Sequence, residues 1–261
     1  MDESALPVPF LFRRGVSSWR GPSVCDSRSM PGRVIVALGV IVLAVAAPAA
    51  AAPPQTLATY CKVPAVKGDV IHFDGVTGAV VGSGKVGIVL ANTSDGHICD
   101  WVLDDSALMG GFAKNGYRVL LFEWHVTTEA AQAKETAAAA VELRKLGSST
   151  IVLGGASIGG VTALEAAVTL KPEPAAVFGF SSSTDSPAAA MAAVHRLELP
   201  LLFVAARDDP YESSTKSLYR HAITRTKQLI LVPGQTHGFF DLDPSAKKVD
   251  AAVLAFIAEH T

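Results

Sequence analysis

Apolar positions along the chain fall into two alternating patterns. Short runs rich in Val, Ile, Leu and Phe recur at 70–73, 79–81, 86–91, 118–123, 150–153, 175–180, 201–205 and 228–232. Each is short, β-branched or aromatic, and bounded by polar or Gly-containing segments, so each predicts a strand. Between them lie segments with helical spacing at 99–115, 128–146, 158–170, 188–197, 213–222 and 244–260. The segment 128–146 is built from Ala, Glu, Lys and Leu, which are strong helix formers, and Gly147 follows where a C-terminal cap belongs. Pro244 is expected in the first turn of the last helix. Runs such as IVL and LLFVAA are apolar on both faces. The prediction is an α/β protein: a central, mostly parallel sheet covered by helices on both sides, its C-terminal strand ends gathered at one edge. Only about twenty residues separate the strands at 175–180 and 201–205, which leaves no space for a large lid.

One apolar run does not fit this alternation. Residues 34–47, VIVALGVIVLAVAA, follow Arg33 and precede PAAAAPP. Fourteen residues are short for a bilayer span, which takes ~20. A basic flank, a short apolar core and a small-residue end describe a secretory signal peptide, with the cut expected before Ala52. The expected organisation is therefore an extension and signal peptide over 1–51 and a single domain over 52–261. The expected location is outside the cytoplasm, secreted or in the cell envelope, with membrane contact only if the leader stays uncleaved. Met30 would make a better start for such a signal than Met1.

Composition narrows the function. Of the 261 residues, 49% are hydrophobic and 18% charged, which excludes a disordered or coiled-coil chain. Without residues 1–51, which hold five Arg and three acids, the 22 basic and 24 acidic residues become 17 and 21, a net charge of −4. That balance argues against a nucleic-acid partner. Removing the leader also removes Cys25, leaving Cys61 and Cys99 as one pair, either bridged or present as two separate thiols.

Three segments carry candidate chemistry. Gly154-Gly155-Ala156-Ser157-Ile158-Gly159-Gly160 contains G-x-S-x-G between a strand and a helix, the context a nucleophile elbow needs. Ser157 would project above the sheet, and the Ile158 N–H at the helix start would stabilise an oxyanion. A serine hydroxyl needs a base and an acid that orients the base, and on this kind of sheet the chain order is Ser, acid, His. Asp208 and Asp209 follow the strand at 201–205, and His237 follows the strand at 228–232. Asp208, first after its strand, is the expected orienting acid. Asp209 is expected to cap the next helix, and Asp185 is a third candidate. The second oxyanion donor is expected from the Asn92-Thr93-Ser94 loop, at the N–H of Ser94. His97, His125, Glu123, Asp100 and Asp105 show no metal-ligand spacing, so no metal or other cofactor is expected. Trp101 and Trp124 are expected as core or pocket walls.

GGASIGG, ARDDP and GQTHGF, in that order and context, resemble the α/β-hydrolases over about residues 67–260. VGIVLANTSDGHICDW and GYRVLLFEW resemble the start of small exported bacterial hydrolases of the dienelactone-hydrolase-like kind. The resemblance implies the α/β-hydrolase fold with minimal or no lid, and a serine hydrolase acting on small-molecule esters or thioesters through an acyl-enzyme. It implies Ser157 as nucleophile, Asp208 as acid, His237 as base, and Ser94 and Ile158 as oxyanion donors. An impaired binding module and an acyltransferase using the same acyl-enzyme are the alternatives. The chain departs from this pattern at two loops: no His stands at 92–94, and Trp124-His125-Val126-Thr127 replaces an Arg-Gly-x-Gly segment.

Overall fold

The computed structural model describes residues 55–63, 66–103, 106–184, 186–240 and 243–261. The proposed leader and Asp185 lie outside these residues. Eight strands form one sheet: β1 (Asp69–Phe73), β2 (Val76–Val81), β3 (Val86–Ala91), β4 (Arg118–Phe122), β5 (Thr150–Ala156), β6 (Ala176–Phe180), β7 (Leu201–Ala206) and β8 (Lys227–Val232). Their spatial order is β1-β2-β4-β3-β5-β6-β7-β8. β1 and β2 form an antiparallel hairpin, β2 runs antiparallel to β4, and every pairing from β4 to β8 is parallel.

The hairpin turn is Asp74-Gly75, and both residues have positive φ, 49° and 82°. A two-residue Asp-Gly turn matches the twist of the strands it joins. The full β2 begins at Val76, three residues before the stretch that apolar patterning picks out. The four central strands β3, β5, β6 and β7 are buried almost end to end, which explains their unbroken apolar sequences. β8, at the edge, alternates more and is partly exposed.

Helices cover both faces. On one side lie α1 (Leu57–Cys61), α2 (Ile98–Leu103), α3 (Ser106–Lys114) and α8 (Ala246–His260). Trp101, Phe112, Val253 and Phe256 from these helices pack against Leu90, Phe178 and Val204 of the sheet. On the other side lie α4 (Glu129–Lys145), α5 (Ile158–Thr169), α6 (Pro187–Val194) and α7 (Glu212–His221). Leu143, Leu164, Val194 and Leu218 pack there against Leu120, Leu153 and Phe203. Each large apolar side chain removed from water this way contributes ~1.5–3 kcal/mol.

α4 ends as its sequence predicts. Gly147 has φ 97°, its N–H reaches the Arg144 carbonyl, and the Ser148 N–H reaches that of Leu143. This is the paired bonding of a Schellman cap.

Three expectations on the elements are corrected. The single helix over 99–115 is two helices, α2 and α3. The five-residue helix α1 has no counterpart in the periodicity. α8 starts at Ala246, so Pro244 stands in the turn before the helix rather than in its first turn. That turn is set by Asp243, whose Oδ1 accepts the Ser245 N–H at 2.7 Å.

Cys61 and Cys99 are joined as a disulfide with a Cα–Cα distance of 5.3 Å. It ties α1 to α2 across a sequence separation of 38, which on chain-entropy grounds contributes about 4 kcal/mol. Among the described residues between β6 and β7, α6 is the one helix.

Candidate active site

β4 lies on one side of β3 and β5 on the other, so the chain changes direction across the sheet at β3. Open parallel sheets hold their sites in the crevice beyond the strand ends at such a switch point. Ala91 closes β3 directly beside Gly155 of β5, and Ala156 pairs with Phe180 of β6. The loops leaving these strands, and those leaving β7 and β8, build the site.

Ser157 follows β5 immediately and stands just before α5. Its φ of 55° and ψ of −121° are strained for a residue with a side chain. The strain is held by its surroundings: its N–H donates to the Phe180 carbonyl at 2.8 Å, and its carbonyl accepts the Gly160 N–H at 3.1 Å. The flanking glycines are required by close approach. A Cβ on Gly155 would lie 2.3 Å from the Gly159 carbonyl carbon, and one on Gly159 would lie 2.3 Å from the Ala91 carbonyl oxygen.

His237 sits in the loop after β8. Gly238 has φ 80°, which turns the chain sharply behind the histidine. The next two side chains anchor the loop in the core. Phe239 meets Trp101 edge to face at 4.9 Å, and Phe240, fully buried, packs on Phe180 at 5.7 Å. Thr236 Oγ1 donates to Asp243 Oδ2 at 2.6 Å. Burial pushes the Asp243 carboxyl up, but hydrogen bonds from Thr236 and Ser245 outweigh it and hold the group below the ordinary aspartate value.

The two side chains meet. His237 Nε2 lies 2.9 Å from Ser157 Oγ, and Nδ1 lies 3.1 Å from both carboxylate oxygens of Asp209. The acid at the histidine is therefore Asp209, which corrects the expectation of Asp208. β7 runs one residue further than its apolar pattern suggested, to Ala206 opposite Val232. The Arg207 N–H then donates to the Val232 carbonyl and the Asp208 N–H to that of Gly234, each at 2.9 Å. Asp208 is spent in this extension and its side chain is exposed. The chain turns back at Asp209, and its carboxylate is wholly buried. Asp209 also reaches the start of α7: its Oδ1 accepts the Tyr211 N–H at 2.9 Å and its carbonyl accepts that of Glu212 at 3.0 Å.

Ile158 and Ser94, the two expected oxyanion donors, line the same cleft as Ser157. Ile158 is the first residue of α5, so its N–H has no partner within the helix. Ser94 is exposed, with its Oγ 3.1 Å from Asp95 Oδ1. The loop it belongs to is tied down on either side. Asn92 is fully buried and its Nδ2 donates to the Phe122 carbonyl at 3.1 Å. Trp124 Nε1 donates to the Thr93 carbonyl at 2.7 Å. In turn, His125 donates its N–H to Glu135 at 3.1 Å. Burial raises the Glu135 carboxyl against the opposing effect of His125.

The cleft around Ser157 has a volume of about 680 Å³. Sequence reasoning missed several features in and beside it. Ser183 Oγ is a second neighbour of the Ser157 hydroxyl, at 3.2 Å. The Tyr211 ring lies 5.0 Å from the His237 ring. Thr184 Oγ1 donates to Glu129 Oε2 at the start of α4. Behind Glu129, the half-buried Glu165 carboxyl is pushed up to about 8 by burial and by the hydrogen bond and charge of Glu129. The Ser181-Ser182-Ser183-Thr184 run was the visible signal for the polar wall after β6.

Of the residues considered for a metal, Asp105 lies outside the described residues. Glu123 accepts the Tyr60 hydroxyl at 3.0 and 3.1 Å, and Asp100 accepts the His97 N–H at 2.6 Å. Among the described residues no three metal-ligating side chains converge.

No protein-family model and no curated protein sequence matches the chain. Solved structures do. Est1E from Butyrivibrio proteoclasticus superposes with a TM-score of 0.59 at 18% identity, over 74% of this chain and 98% of its own. A dienelactone hydrolase from Anabaena variabilis gives 0.63 at 19%, over 79% and 98%. An esterase from Pyrococcus furiosus gives 0.62 at 14%, over 74% and 92%. The sheet order, the strained turn after β5 and these superpositions agree that the chain has the α/β-hydrolase fold.

Proposed function

We propose that the protein is a serine hydrolase that cleaves small esters, with Ser157 as nucleophile, His237 as general base and acid, and Asp209 as the group that orients the histidine. One observation carries the reading: the unbroken hydrogen-bonded chain from Ser157 Oγ through both ring nitrogens of His237 to a buried carboxylate. That a dienelactone hydrolase and esterases are among its structural neighbours supports it.

The reaction follows from the geometry. His237 Nε2 takes the Ser157 proton as Oγ attacks the ester carbonyl carbon. The negative charge that develops on the carbonyl oxygen is met by the N–H groups of Ile158 and Ser94. The carbon–oxygen bond to the alcohol breaks, and the departing alcohol takes the proton from His237. Water then attacks the acyl-serine, giving its proton to His237, and the Ser157–acyl bond breaks to release the acid as Oγ recovers that proton. Asp209 keeps Nδ1 protonated and stabilises the charged ring throughout.

The test is hydrolysis of p-nitrophenyl acetate with labelling by a fluorophosphonate. Ser157→Ala is expected to lose at least ~10⁴-fold in kcat and all labelling, with an unchanged melting profile. Undiminished turnover by that variant overturns the reading. Product analysis with added sugar or lipid acceptors separates hydrolysis from acyl transfer.

We also propose that the protein acts outside the cytoplasm after removal of residues 1–51. The Cys61–Cys99 disulfide supports this, because such bonds persist in oxidising compartments. Mass spectrometry of protein recovered from culture medium checks it; a chain retained in the cytoplasm with its leader intact overturns it.

A further inference from the structure

Ligand pockets of several hundred Å³ are lined mainly by apolar side chains, with a few polar groups that fix orientation. The cleft at Ser157 departs from that pattern. Its aliphatic lining is limited to Val126 and Ile158, and polar side chains reach it from α4 and from the loop between β6 and α6. A long acyl chain here would cover hydroxyl and carboxyl groups without replacing their bonds to water. Each group left unpaired in this way weakens binding of such a chain.

The decisive side chain is Gln132. It is only 5% exposed, it lines the cleft, and its carboxamide has no hydrogen-bond partner among the described residues. Its polar atoms still reach the solvent of the cleft, so water bonds them until a ligand group takes its place. A carboxamide both donates and accepts, and a hydroxyl group does the same, so the two pair in either direction. Glu129 stands three residues earlier, on the same side of α4, and holds the Thr184 hydroxyl. These groups form a wall suited to several hydroxyls in a row.

Two aromatic rings complete the surface. Trp124 is fixed by its bond to the Thr93 carbonyl and by an edge-to-face contact with Phe122 at 4.9 Å. Tyr211 stands over His237. Both line the cleft. Flat aromatic faces match the C–H faces of a saturated ring, while polar groups take its hydroxylated rim.

From this arrangement we infer that the alcohol half of the substrate is a hydroxylated ring of the carbohydrate type, read by Gln132 and the Glu129–Thr184 pair, and that the acyl half is short. The inference rests on the serine-hydrolase reading above and adds the substrate class.

The experiment uses two acetates on matched carbon frames. 6-O-acetylglucose carries ring hydroxyls, and cyclohexylmethyl acetate does not. The purified protein is expected to show kcat/KM at least tenfold higher on the sugar ester. It is also expected to prefer p-nitrophenyl acetate to p-nitrophenyl octanoate. Gln132→Leu is expected to cut the sugar-to-cyclohexyl ratio about tenfold, and Gln132→Asn to cut it less. The ratio is taken within each variant, so a loss of folded protein cancels, and the wild-type ratio decides alone if a variant fails to fold. A wild-type ratio of one or below, a preference for octanoate, or a ratio that Gln132→Leu leaves unmoved overturns the inference. If p-nitrophenyl acetate is still turned over in that case, the hydrolase reading stands and only the substrate class fails. If no ester is cleaved and no fluorophosphonate label is taken up, both fall.

Discussion

The turn after β5 and the turn after β7 lie at the same edge of one sheet, and each delivers an oxygen to His237. They are specified in different ways. The β5 turn is written in sterics: Gly155 and Gly159 each face backbone at 2.3 Å, so no other residue fits. The β7 turn is written in register. Asp208 and Asp209 are chemically identical, and one further rung of the β7–β8 ladder decides which of them is free to face the histidine. A position defined by exclusion leaves a mark in the amino-acid code; a position defined by where a ladder stops does not.

The largest expected effect tests the register directly. Asp209→Asn is expected to lower kcat ~10³–10⁴-fold on p-nitrophenyl acetate, by removing the carboxylate that holds the histidine tautomer. Asp208→Asn is expected to stay within about threefold. A greater loss from Asp208→Asn would mean that the two turns do not meet at His237 as described.

Gly159→Ala tests the steric half. The added methyl meets the Ala91 carbonyl, which is backbone and cannot swing aside. Overpacking of this kind is expected to destabilise by about 3 kcal/mol or more, measured by urea denaturation. A variant as stable as the parent would show that the β5 turn is less constrained than its contacts indicate.

Ser183→Ala removes a neighbour of the Ser157 hydroxyl without touching either turn. Losing one neutral hydrogen bond to Oγ is expected to lower kcat/KM two- to tenfold. An effect as large as that of Asp209→Asn would make Ser183 a partner of the histidine's own rank.

The smallest effect is on stability against pH. Between about pH 4.5 and about pH 8 the folded protein holds a proton on Glu165 that the unfolded chain has released. The native state binds more protons in this window, so stability falls as pH rises through it and levels off above it. Glu165→Gln removes that slope, and its Tm is expected to decline less than the parent's between pH 5 and pH 8.5. Identical profiles would dismiss proton sharing behind the cleft.

The sheet and its covering helices were legible because burial on both faces leaves continuous apolar runs, and exposed helix faces leave charged ones. Gly147 marked a helix end for a conformational reason that only glycine meets well. Ser157 and His237 were legible through their surroundings. β2 was seen only in part, because Val76-Thr77-Gly78 lacks the apolar density of the central strands. α1 is too short for its period to register and is held by a disulfide instead of its own propensity. Gln132 and Glu129 lay inside a helix read by composition, where nothing in the code separates the turn that faces the site from the turns that face solvent.

The contact between Gly159 and the end of β3 couples two loops of the cleft mechanically. Because the Ser157 bend and the strand leading to Ser94 share one packed seam, neither can shift without displacing the other. The walls at the start of α4, after β6 and around Tyr211 stand apart from that seam. Side chains there can be exchanged one at a time while the Ser157 bend keeps its place.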